Sequence, residues 1–162
     1  MYTLTWQPPY DWQWMFGFLG ARAVEGVETV TEHYYERSFA CEGHQGIFRV
    51  TPDNLAHTLQ VTLSPGLIPV AQTCLERIGR LFDLACDPHE IHKTLGDLGV
   101  ARPGLRFPCA MDAYAQGVRA ILVPLLAVAF AAKLMSPVVA LFTCPVYTSP
   151  GSVCFPTQQA LA

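Results

Sequence analysis

Ala56–Leu63 reads as the cleanest strand in the chain, alternating without a break. His57, Leu59, Val61 and Leu63 fall on one side, and Thr58, Gln60 and Thr62 on the other. A period of two belongs to a strand with one face buried and the other in water. Such a strand cannot stand alone: it needs paired neighbours and an apolar layer over its buried face. The flanking residues offer both. Pro65-Gly66 ends the run, and Leu67, Val70, Ala71, Cys74, Leu75, Ile78, Leu81 and Phe82 then recur at helical spacing, which predicts a helix over about 67–84.

Upstream, residues 2–7 alternate as a half-buried strand that Pro8-Pro9 stops. Asp11 is a good N-cap for a helix over about 12–24 with a stripe of Trp12, Met15, Phe16, Leu19 and Ala23. Val27–Phe39 is rich in Val, Thr and Tyr and reads as one strand. Gly43–Gly46 reads as a turn and Gly46–Val50 as a return strand. Residues 1–86 therefore predict an α+β layer: an antiparallel sheet with two helices on one face. Asp87-Pro88 opens a helix that stops at Gly99. Arg102, Pro103 and Gly104 form a turn, and Asp112 caps a helix over about 112–122. Pro124 breaks it, pushing Leu125 out on a corner before a helix over about 125–135, which Ser136-Pro137 interrupts. Val138–Phe142 adds a turn or two, and from Thr143 the chain reads as irregular. The division expected is a sheet unit, 1–86, and a partial all-α unit, 87–162.

A hydrophobic fraction of 51% and a charged fraction of 14% exclude a disordered chain. The formal charge of −3 gives no global sign of nucleic-acid binding. The distribution says more: residues 1–100 carry 6 Lys/Arg against 12 Asp/Glu, and residues 101–162 carry Arg102, Arg106, Arg119 and Lys133 against Asp112. A polyanion would meet the second part, unless Arg119 is a buried structural ion. The six cysteines form no Cys-x-x-Cys pair, and the N-terminus has no secretory pattern, so a reducing cytoplasm is expected. The apolar run 120–132 is interrupted by Pro124 and is too short for a span of about 20 residues.

Motifs for chemistry are few. Cys86, His89 and His92 have a ligand-like spacing, but no fourth ligand accompanies them, and a capped helix with exposed imidazoles accounts for them. No metal and no cofactor is expected. No nucleophile elbow or phosphate-cradling glycine loop occurs. Asp11, Asp87 and Asp112 read as caps.

One resemblance carries further. Arg102-Pro-Gly-Leu-Arg-x-Pro108, followed by Asp112-Ala-x-x-Gln-Gly-Val-Arg-Ala-Ile-Leu122, resembles the inducible bacterial 3-methyladenine DNA glycosylase II family, the AlkA type. So do Met1-Tyr-Thr-Leu-x-Trp-Gln-Pro-Pro-Tyr-Asp-Trp-x-Trp-Met-x-Gly-Phe-Leu19, Gly66-Leu-x-Pro-Val-Ala71 and Arg80-Leu-Phe-Asp-Leu84. The likeness covers roughly the first 135 residues and returns at Cys154-Phe-Pro-Thr.

The resemblance implies a sheet unit similar to half of the TATA-binding protein. It implies repair of double-stranded DNA with alkylated bases, by base flipping and hydrolysis of the N-glycosidic bond. Leu125 matches the family's wedge leucine; Phe18 matches an aromatic that lines the pocket for the flipped base, and Arg22 lies one helical turn later at the rim. Alternatively, Leu125 and Phe18 are core residues, and Arg22 forms a surface ion pair with Glu25 or Glu28. Two departures stand out. Val123-Pro124-Leu125-Leu126-Ala127 replaces the family's Gly-Gln-Leu-Val-Ser. The helix-hairpin-helix and the catalytic aspartate beyond it find no match in these residues, so no catalytic residue is assigned and a truncated, inactive glycosylase is expected. The alternatives are a non-enzymatic DNA- or protein-binding module working through its sheet, and a remnant that self-associates.

Overall fold

The computed structural model describes residues 1–122, 128–142 and 151–160. Five strands, β1 (Tyr2–Thr5), β2 (Glu28–Val30), β3 (Tyr35–Cys41), β4 (His44–Asp53) and β5 (Thr58–Leu63), form one sheet in the order β1-β5-β4-β3-β2. Every neighbouring pair is antiparallel. The pleat turns Tyr35 and Phe39 of β3, Phe48 and Val50 of β4, and Leu59, Val61 and Leu63 of β5 to one side. Helices α1 (Trp12–Gly20) and α2 (Ala71–Leu81) cover that side with Trp12, Met15, Phe16, Cys74, Ile78 and Leu81, and all these residues share one core. Burial of each large apolar side chain there stabilises the fold by about 1.5–3 kcal/mol. The architecture is thus the α+β sheet layer that the alternation and stripes predict.

Several details differ from expectation. Val27–Phe39 is not one strand but the hairpin β2–β3. The Thr31 hydroxyl accepts from the His33 and Tyr34 N–H groups, at 3.2 and 3.1 Å, and turns the chain with no glycine or proline. The next turn sits at Glu42-Gly43, both with positive φ, so β3 runs past Phe39 to Cys41 and β4 extends beyond Gly46–Val50 at both ends, over His44–Asp53. His57 lies in the turn before β5, with positive φ, rather than in the strand. The helix expected over 67–84 is a 3-10 stretch, Pro65–Val70, followed by α2, because Pro69 offers no N–H.

Past the sheet, Asp87 caps α3 (Pro88–Leu95), which ends at Gly96 rather than Gly99; the short α4 (Asp97–Val100) follows. Residues 101–112 then run back across the first helix. Gly104 O accepts from the Asp11 N–H at 2.8 Å. The buried Arg106 guanidinium donates to Gln7 O at 2.6 Å and Pro9 O at 3.0 Å. Asp112 caps α5 (Ala113–Leu122), accepting from the Ala115 N–H at 2.7 Å. Helix α6 runs unbroken over Val128–Phe142, so Pro137 does not interrupt it. Met135 and Val139, on either side of that proline, pack with Val24 and Val27, and this burial holds the helix together across the lost hydrogen bond. The following described segment is tied down as well. Val153 N–H donates to Gly26 O at 2.9 Å, and Val153 O accepts from the Ser38 hydroxyl at 2.5 Å. Leu125, Pro124 and the rest of the expected wedge corner lie outside the described residues. Among the described residues no helix is long and apolar enough to cross a membrane.

Candidate functional site: a cleft between the first and fifth helices

Phe18 sits on the last turn of α1, and Arg22 follows just past its end. Trp14, one turn earlier, stacks on the Phe18 ring at 5.3 Å; Arg22, one turn later, places its guanidinium 3.7 Å from the ring centroid. Arg22 Nη1 also donates to Phe18 O at 3.1 Å. Burial first, and then the neighbouring Arg119, pull Arg22 below the ordinary arginine value, although an arginine stays charged.

These two residues open onto a cleft of about 370 Å³. The segment Phe107–Asp112 forms its second wall, and Ala115, Gln116 and Arg119 of α5 form its third. That volume lies at the small end of the range for ligand sites. Sequence reasoning missed Gln116 and Phe107 as lining residues, since only the return of 101–112 across α1 brings them in.

Glu28 and Arg37 close the cleft from the sheet side, a register pair across β2 and β3. Glu28 Oε1 accepts from Arg37 at 3.0 Å and from the Tyr35 hydroxyl at 2.8 Å; Oε2 accepts from Arg119 at 2.6 Å and from the Val24 N–H at 3.0 Å. The Glu28 and Arg37 side chains are only 4% and 7% exposed. Burial by itself would raise Glu28, but Arg37 first and Arg119 second outweigh it and hold the carboxyl below its usual range. Burial, then the Glu28 charge, push the Tyr35 hydroxyl up. Arg119 is thus a half-buried structural ion, and its second donor reaches Arg22 O at 3.0 Å. With Arg106 also spent inside the fold, the basic second part offers far less positive surface than its sequence suggests.

Two other candidates resolve simply. Cys86 lies 3.8 Å from the Arg106 guanidinium, His89 and His92 are exposed, and no three His, Cys, Asp or Glu among the described residues are placed to hold a metal. Burial, then Cys41, push the Cys74 thiol up to about 11, so it is not a nucleophile at neutral pH. The uncovered sheet face presents threonines and the exposed Arg49–Glu36 pair, with little net charge to attract a polyanion.

The sheet, its two covering helices and the helical pair across the cleft define a class by shape. The chain superposes on the 3-methyladenine DNA-glycosylase from Archaeoglobus fulgidus with a TM-score of 0.82 at 18% identity, over 99% of this chain and 57% of that one. At that identity the likeness is one of fold. The AlkA N-terminal domain family matches residues 1–112, and the chain belongs to it. The chain is also 54% identical to DNA-3-methyladenine glycosylase 2 of Escherichia coli (strain K12) over 162 residues, covering all of this chain and 57% of that relative. The family resemblance read from the motifs is therefore borne out.

Proposed function

We propose that these residues form the base-receiving part of a DNA glycosylase for alkylated bases. Phe18 and Arg22 make one wall, and Leu125 is the wedge. The observation that carries this reading is the cleft itself. It sets Phe18 and Arg22 opposite α5, and α5 ends three residues before Leu125. A base leaves the stack at a cost of a few kcal/mol, and an apolar side chain in the vacated space keeps the duplex from reclosing. Damaged double-stranded DNA is the partner, and 3-methyladenine and related bases are the substrates.

Both carboxylates of the cleft are engaged. Glu28 is held by Arg37 and Arg119, and Asp112 caps α5. Both are committed to these structural partners, so the cleft as described is read as one that holds a base and does not itself cut the bond. The purified chain, incubated with methylated duplex, is expected to release no 3-methyladenine above buffer while binding the duplex at low salt. Turnover would overturn the division of labour, and no binding at low salt would remove DNA as the partner.

A second reading rests on α6. It is apolar on both sides: Ala131, Met135 and Val139 face inward, while Phe130, Leu134 and Leu141 face outward, exposed by 53%, 40% and 78%. A helix apolar all round belongs in an interior. Self-association through this outer face is expected to raise the apparent mass between dilute and concentrated samples on size exclusion. A monomer at both concentrations rejects it.

A further inference from the structure

We propose that Phe107 is a specificity-determining residue of this cleft: its ring is the uncovered aromatic face on which an electron-poor, positively charged alkylated base stacks. The inference rests on the cleft being the base-receiving site.

Phe18 and Phe107 are the aromatic side chains of the described lining, and they are not equally available. Phe18 has neighbours along its own helix, Trp14 one turn before and Arg22 one turn after. Among the described residues no ring and no guanidinium lies against Phe107, and its side chain is 80% exposed at the second wall. A single exposed apolar side chain is ordinary. This one is held in place from both sides. Pro108 restricts the Phe107 backbone to extended conformations. The Phe107 N–H donates to Asp83 Oδ2 at 3.1 Å, and the Cys109 N–H donates to Leu81 O at 3.2 Å. Arg106, the residue before, is buried and bound to Gln7 O and Pro9 O. The ring is therefore carried on fixed backbone and needs little ordering when a base arrives. Every base gains by stacking on such a face. A purine alkylated on a ring nitrogen carries positive charge in the nucleoside, and the negative face of the ring attracts it further. The Asp83 carboxylate that anchors Phe107 adds negative charge beside the same residue.

The test compares 7-methylguanosine with guanosine at mildly acidic pH, where the first is a cation of nearly the same outline. Binding to the intact chain is measured by NMR titration. The wild-type chain is expected to bind 7-methylguanosine more tightly than guanosine. Phe107→Ala is expected to weaken 7-methylguanosine by about five- to hundred-fold, the span lost with one base–aromatic stack, and to weaken guanosine less. Its Tm is expected to stay at the wild-type value, because the side chain is exposed. Phe107→Leu keeps apolar area without a ring and is expected to remain weak. Phe107→Trp is expected to restore the preference for the cation. Equal losses for the two nucleosides in Phe107→Ala, or wild-type binding by Phe107→Leu, overturn the role of the ring and leave the cleft reading standing. A wild-type chain with no preference for the cation overturns it equally. No shift at Phe18, Gln116 or their neighbours with either nucleoside in the wild-type chain sinks the cleft reading and this inference with it.

Discussion

Glu28→Ala is expected to remove roughly 3–5 kcal/mol of folding stability and to lower Tm by about 10 °C. The size follows from what is left behind. Arg37 and Arg119 lose their shared carboxylate, and the Tyr35 hydroxyl and the Val24 N–H lose an acceptor, all in a region nearly closed to water. Glu28→Gln keeps the shape and part of the hydrogen bonding, so it separates charge from packing. The pH dependence has a defined sign. Glu28 is held below its ordinary value of 4.5 in the folded chain, so its contribution is complete above that value and is lost as pH falls through the folded value. Urea midpoints from neutral pH downward should therefore fall below about pH 4.5 in the wild type. The part of that fall contributed by Glu28 should vanish in Glu28→Gln. A Glu28→Ala unfolding free energy within about 0.5 kcal/mol of wild type would mean that the Glu28–Arg37–Arg119 cluster adds nothing to stability.

Gly104→Ala is the second large effect, expected at roughly 1–3 kcal/mol. A Cβ there would stand 2.7 Å from Asp11 N and 2.8 Å from the Tyr10 carbonyl carbon. Both are backbone atoms, so no side chain can swing away. Relief requires residues 104–106 to lift off the first helix's lead-in, and Arg106 then loses its grip on Gln7 O and Pro9 O. The disturbance continues into the cleft wall, because Phe107 N–H is tied to Asp83 and Cys109 N–H to Leu81 O. The urea midpoint should fall with an unchanged m value, and nucleoside binding in the cleft should weaken alongside it. A stable variant with intact binding would show that the close approach at Gly104 is dispensable.

How much of this was legible depends on whether the cause was local. The three aspartates expected as caps all cap: Asp11, Asp87 and Asp112 accept from the N–H groups of Trp14, His89 and Ala115. Their signal lies within a single turn of chain. The alternation of Leu59, Val61 and Leu63 was equally plain, because one buried face imposes it. The hairpin at Thr31 was not legible: a hydroxyl made the turn in a stretch whose composition favours continuous strand. That miss hid the site's foundation. Glu28 and Arg37 become register partners only when the chain folds back between them. Arg119 was ambiguous for a related reason, since its carboxylate partner lies 91 residues away in sequence. Phe18 was named through family likeness alone, and Arg22 through its place one helical turn later; nothing in the local pattern distinguishes an aromatic at a cleft from one in a core.

Helix α5 is fastened to the β2–β3 hairpin at Arg119–Glu28, and the described segment 151–160 is fastened to the same hairpin and its approach through Val153 with Gly26 and Ser38. The β2–β3 hairpin is thus a shared anchor: a displacement of its strands would carry the cleft wall at Arg119 and the segment at Val153 along together.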